Sequence, residues 1–154
     1  MKKRFIFTMI LLLVFSYNSI SGYEHREEIN IIEDLLNQRI QIMNEFLYAY
    51  KDMDLLEDKL SKIEKNNLLE NDLDILKKVM DNPTDYELAL KVKVHKINTL
   101  DIKDDEILIN ADLDWFMRSY DGEFNLIRNY NIECIQEDDQ TFLSKLKILN
   151  NVGN

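Results

Sequence analysis

The run Ile107–Met117, ILINADLDWFM, sets Ile107, Ile109, Ala111, Leu113, Trp115 and Met117 at every second position, with Leu108, Asn110, Asp112, Asp114 and Phe116 between them. Successive side chains of a strand point to opposite faces, so this run reads as a strand with one apolar face and one largely polar face. Asp121-Gly122 follows it and supplies the residues preferred in a two-residue hairpin turn. Beyond the turn, Phe124, Leu126, Tyr130, Ile132 and Cys134 line a third strand. The acidic tip Glu137–Gln140 leads to a fourth strand with Phe142, Leu146 and Ile148 on one face. Before Ile107, the residues Tyr86, Leu88, Leu90, Val92 and Val94 share a face. The phase then slips at His95, so that Ile97, Leu100 and Ile102 fall out of step, as a bulge or bend would make them. The expectation is a four-stranded antiparallel meander over about 86–149.

The preceding segment repeats at helical spacing. Ile29, Ile32, Leu36, Ile40, Met43, Leu47, Tyr50, Met53, Leu56, Leu60 and Ile63 recur at steps of three or four. An unbroken 35-residue helix would be about 52 Å long, against a diameter of roughly 36 Å for a domain of this size. A break at Asp52–Asp54 is therefore expected, with Asp54 as N-cap and Glu57 at the third helical position, giving helices at about 29–51 and 55–65. The alternative is one continuous helix projecting into a dimer. Asn71 or Asp72 is expected to cap a third helix carrying Leu73, Leu76, Val79 and Met80, which Asn82-Pro83 ends. The fold class is thus α+β, with N-terminal helices packed in the concavity of a curved four-stranded antiparallel meander.

Composition bounds the rest. The length of 154 residues with 45% hydrophobic content suits one domain. Residues 1–22 have the layout of a signal peptide: Lys2, Lys3 and Arg4, the apolar run Phe5–Phe15, and a small polar segment with Ser19 and Ser21. The expected division is a signal peptide at 1–22 and a single α+β domain at 23–154. The expected location is secreted or extracytoplasmic, with anchoring by an uncleaved N-terminus as the alternative. No cysteine stands directly after the apolar run to carry a lipid. Cleavage after Ser21 would leave 16 bases against 29 acids, a net charge of −13. That charge disfavours nucleic acid and anionic membrane surfaces and is compatible with a protein partner or self-association. No integral membrane span is expected after cleavage. Cys134 is the single cysteine and reads as a buried, inert thiol.

The order of elements, with Phe46-Leu47-Tyr48-Ala49-Tyr50-Lys51-Asp52 closing the first helix and long strands bearing Asp114-Trp115 and the Asp121-Gly122 hairpin, resembles the nuclear transport factor 2-like superfamily over about 30–149. The resemblance implies a cone-shaped α+β roll. Members of that superfamily include enzymes, ligand binders, dimerisation modules and envelope components, so it implies no single function.

The resemblance implies that an enzyme of this kind would place a His or Asp acid–base pair inside the cone, which makes His95, Asp112 and Asp114 the residues to test. His95, however, follows Lys91 and Lys93 on the polar phase, and Asp112 and Asp114 lie opposite Leu113 and Trp115. Arg128 falls on the apolar phase between Leu126 and Tyr130; it reads either as an anion ligand at the cone mouth or as a side chain reaching water after a phase slip at Ile127. Ligand-pocket candidates are therefore Arg128, Trp115, Tyr130 and His95, and partner-surface candidates are Asn110, Asp112, Asp114 and Phe116. Neither metal-ligand spacing nor a phosphate-cradling glycine loop is present, and no cofactor is expected. The expectation is a non-catalytic secreted or cell-envelope binding or assembly module with a narrow, mainly apolar cone. A small extracellular enzyme or ligand carrier and a signal-anchored envelope component are the alternatives.

Overall fold

The computed structural model describes residues 26–81 and 87–149. The expected signal peptide at 1–22, Pro83 and Tyr86 lie outside these residues. The chain divides after Ile31 into two compact units. Of the first, Arg26–Ile31 are described and are helical. The second, Ile32 onward, carries the sheet and the core.

The elements are α1 (Arg26–Glu45), a π-helical turn (Phe46–Tyr50), α2 (Met53–Leu60), α3 (Asn66–Asp81), β1 (Leu88–Lys103), β2 (Glu106–Ser119), β3 (Gly122–Glu137) and β4 (Gln140–Ile148). The strands form one antiparallel sheet in the order β1-β2-β3-β4. The fold is α+β, with helices packed against the sheet.

Pairing shows why β1 changes phase. Val92, Val94, Ile97, Leu100 and Ile102 lie opposite Trp115, Leu113, Ala111, Ile109 and Ile107, and register shifts at Leu90, His95 and Asn98 each skip one residue. The shifts at His95 and Asn98 return first Ile97 and then Leu100 to the helix side, and the shift at Leu90 sets Ala89, rather than the expected Leu88, opposite Met117 on that side, because a one-residue offset flips every later side chain. Strand β3 pairs with β2 from Gly122↔Ser119 to Ile135↔Glu106 with no such shift. A phase slip at Ile127 is therefore absent, and Arg128 stays on the helix side, opposite Leu113. On β4 a shift leaves Ser144 unpaired, and its hydroxyl donates to Glu133 O at 3.0 Å. Leu143, opposite Cys134, takes the core position expected of Phe142, which packs instead beneath Lys65, with Nζ 4.2 Å from the ring centre.

The helical breaks differ from expectation in position. The α-helix ends at Glu45. One π turn follows, closed by Lys51 N–H donating to Phe46 O at 3.1 Å, and Lys51 takes φ 47°, which stops the helix. Asp52 is the N-cap of α2: its Oδ1 accepts from Asp54 N–H at 3.0 Å and Leu55 N–H at 3.1 Å. Asp54 sits in the first turn, two residues past the cap. Helix α3 begins at Asn66 rather than near Asn71, because Leu68, Asp72 and Leu76 at i, i+4 and i+8 form its buried stripe.

Each outer sheet edge is covered in part, β1 at Ala89, Val92 and Val94 and β4 at Leu143. Asn37 of α1 pairs with Val92, Glu33 Oε2 accepts from Val94 N–H at 2.9 Å, and Asn44 Nδ2 donates to Ala89 O at 2.8 Å. At β4, Leu143 N–H donates to Ile63 O at 2.8 Å and Lys65 N–H donates to Leu143 O at 2.9 Å. These contacts occupy edge groups that would otherwise invite another strand.

Candidate functional site

The α2–α3 link, pinned to β4 on either side of Glu64, holds that side chain inward with no exposed surface. Asp72 comes from the buried stripe of α3 and Arg39 from α1, and the three meet. Arg39 Nε and Nη2 each lie 2.6 Å from Asp72 Oδ2. Glu64 Oε1 is 2.9 Å from Arg39 Nε, yet neither Glu64 oxygen receives a well-directed hydrogen bond, because the Nε–H is aimed at Asp72. Burial, and next the negative Asp72, push the Glu64 carboxyl up from 4.5 to about 8 against the pull of Arg39. The protonated form of Glu64 is thus favoured beside the Arg39–Asp72 ion pair.

Above this cluster a cavity of about 370 Å³ opens between α1, the π turn, α3 and the start of β1. Ile40, Met43, Phe46, Leu47, Leu76, Val79, Met80, Leu88 and Ala89 form apolar walls, Trp115 and Arg39 also line it, and Asn44, Tyr48, Lys51 and Glu87 add polar groups. Its volume falls at the lower end of the range of about 300–1,000 Å³ for small-molecule sites. The interior is thus less filled than the sequence suggests: β1 presents Ala89 here, which is too small to close the gap between α1 and α3. Among the described residues no protein acceptor meets Arg39 Nη1.

Of the four pocket candidates, Trp115 lines the cavity. Tyr130 is buried against it, with ring centroids 5.6 Å apart and planes at 46°. Burial raises the Tyr130 hydroxyl pKa, opposed by the charges of Arg128 and Arg39 and by the Trp115 side chain. Trp115 Nε1 is buried without a hydrogen-bond partner. His95 and Arg128 do not line the cavity: both are exposed, His95 at the β1 bulge and Arg128 at the free end of β3.

The four surface candidates share the outer sheet face. Asn110 Nδ2 donates to Asn129 Oδ1 and Asn131 Oδ1, each at 2.8 Å, and Asn129 Nδ2 donates to Asp112 Oδ1 at 2.7 Å. Asn125 Nδ2 donates to Asp114 Oδ1 at 2.8 Å, and Phe116 is 37% exposed. The hydrogen bond from Asn129 holds the Asp112 carboxyl below its ordinary range. These groups satisfy one another, so much of their capacity is already used within the sheet.

Arg39, Glu64 and Asp72 were missed by sequence reasoning, although a signal was present. Asp72 lies on the apolar stripe of α3, and Arg39 follows Leu35 and Leu36 by one turn and precedes Met43 by another. A charge on an apolar stripe calls for a buried partner. Among the described residues no group of three or more His, Cys, Asp or Glu side chains is placed to hold a metal ion, and no helix is long and apolar enough to cross a membrane.

No family model and no curated protein matches the chain. Among solved structures it is similar to the intermembrane space region of the chloroplast protein ARC6, at 11% identity over 80% of this chain and 98% of that one, with a TM-score of 0.51. A protein of unknown function from Bacteroides thetaiotaomicron gives 19% identity, 87% and 98% coverage and a TM-score of 0.40. A de novo designed β-sheet protein gives 12% identity, 79% and 90% coverage and a TM-score of 0.32. The first likeness is one of fold alone, and the other two carry no argument.

Proposed function

We infer that this chain is a non-catalytic binding module, exported from the cytoplasm, that holds an apolar small molecule bearing a neutral oxygen. The observation that carries this reading is the 370 Å³ cavity with apolar walls, to which Arg39 and Trp115 contribute. Arg39 is offset by Asp72, so its remaining N–H groups suit an ester, ketone or alcohol oxygen better than a carboxylate, whose charge would add to that of Asp72. The acids of the cluster are buried and tied to Arg39, which supports binding over catalysis. Export rests on the Lys2–Arg4 segment and the short apolar run that follows. The family reading remains the nuclear transport factor 2-like superfamily, supported by the order of helices and meander.

The test is a titration of the intrinsic fluorescence of Trp115, the single tryptophan. Medium-chain methyl esters and alcohols should shift its emission saturably, and the matching carboxylates should bind more weakly. Val79→Phe, which fills the cavity from α3, should abolish the response while leaving the folded circular dichroism spectrum intact. No saturable change with any of the three series would overturn the reading.

A further inference from the structure

Strand β3 runs from Gly122 to Glu137, but β4 pairs with it only from Glu137 back to Tyr130. Leu149 N–H donates to Asn129 O at 2.9 Å, which shows that the odd-numbered residues of β3 turn their backbone groups toward the β4 side. Glu123, Asn125 and Ile127 therefore present N–H and C=O groups to that side, and among the described residues nothing pairs with them. The outer edges of β1 and β4 carry helix or linker contacts at Ala89, Val92, Val94 and Leu143, whereas no described residue covers this one.

The side chains along the bare edge are not those of a protected one. Ile127 is 49% exposed, Phe124 and Leu126 are half-buried on the helix side, and neither proline nor lysine interrupts the stretch. Arg128 adds an exposed cation which, among the described residues, meets no carboxylate, in a chain of net charge −10. Asp121 and Tyr120, the latter fully exposed, stand at the hairpin tip beside the same edge.

We propose that this edge is a self-association site, at which β3 of a second copy pairs antiparallel about a twofold axis through Asn125. Residues whose backbone groups face outward must pair with their like, so Glu123 lies opposite Ile127 of the second copy and Asn125 opposite Asn125. About six backbone hydrogen bonds form in this register. On the helix side Phe124 meets Leu126 of the other copy, and Arg128 meets Gly122, which has no side chain to obstruct it and brings Asp121 alongside. The register thus joins the unpaired cation to an acid twice, once at each end. An edge this short makes a weak dimer.

The experiment combines sedimentation, from micromolar to about millimolar concentration, with oxidative cross-linking of Asn125→Cys. Cα atoms of such paired residues sit about 5.5 Å apart, within disulfide reach. Asn125→Cys should cross-link readily, and Lys77→Cys on the exposed face of α3 should not. Asn125→Pro removes an edge donor that β2 does not use, so it should abolish the dimer while circular dichroism stays folded. Arg128→Ala and Asp121→Ala should each weaken association several-fold. A chain monomeric at the highest concentration overturns the proposal, as does a dimer that survives Asn125→Pro. Dimerisation seen only after removal of residues 150–154 would overturn it too, since the edge would then be covered by the chain itself.

Discussion

Asn37 Nδ2 donates to Val92 O at 2.9 Å and Asn37 Oδ1 accepts from Val92 N–H at 3.0 Å, so one side-chain amide on α1 makes the pair of bonds that a neighbouring strand would make. The same nitrogen donates to Glu33 O one turn back at 2.8 Å, which orients the amide. Asn37→Ala should lower stability by about 1–3 kcal/mol, the cost of stranding a partly buried donor and acceptor. Asn37→Asp should be no rescue, because it sets a carboxylate against the Val92 carbonyl. Urea unfolding measures both, and hydrogen exchange at the Val92 amide should accelerate in each variant.

The buried cluster predicts unequal outcomes for its members. Arg39→Met leaves Asp72 uncompensated and should cost about 3–5 kcal/mol. Glu64→Gln puts a neutral amide in place of a carboxyl whose protonated form burial favours and should be far milder. The two variants are compared by denaturant midpoint at pH 7.

Glu64 also sets a pH dependence. Its carboxyl titrates at about 8 in the folded chain against 4.5 as the ordinary value, so between these limits the folded state keeps a proton that the unfolded state has released. Its contribution is full below about pH 4.5, falls as pH rises, and is gone above about 8. The wild-type midpoint should therefore drop relative to that of Glu64→Gln across this window. Parallel curves would show that Glu64 does not carry the effect.

The cap of α2 separates two neighbouring aspartates. Asp52→Ala loses the acceptor for two backbone donors and should cost about 0.5–2 kcal/mol. Asp54→Ala should be close to neutral, with only a small loss from its favourable place in the first turn. Thermal unfolding of the two variants side by side gives the ordering.

Burial pushes the Cys134 thiol up to about 12. It should not react with a disulfide reagent at neutral pH in the folded chain and should react fully in denaturant. Rapid labelling of the native protein would show that the β3–β4 layer opens readily.

The meander was legible in the sequence because the signal for a half-buried strand is local: alternation in Ile107–Met117 identifies the core face without reference to any partner. The phase slip at His95 was legible for the same reason, since a bulge leaves its mark within a few residues. The helical stripe and the need for a break near Asp52 followed from periodicity and length, but which aspartate caps α2 depended on the π turn that Lys51 closes, and no pattern of side chains announces that turn. Only tertiary structure could bring Arg39, Glu64 and Asp72 together, because they come from α1, the α2–α3 link and α3, and the link is positioned by hydrogen bonds to distant β4. The cavity is likewise the space left where α1, α3 and Ala89 of β1 fail to meet, and β3 beyond Asn129 has no partner on the β4 side among the described residues because β4 pairs with it only as far as Tyr130. Sequence periodicity reports which face of an element seeks burial; how far each element reaches, and what is left uncovered, is settled only when all of them pack at once.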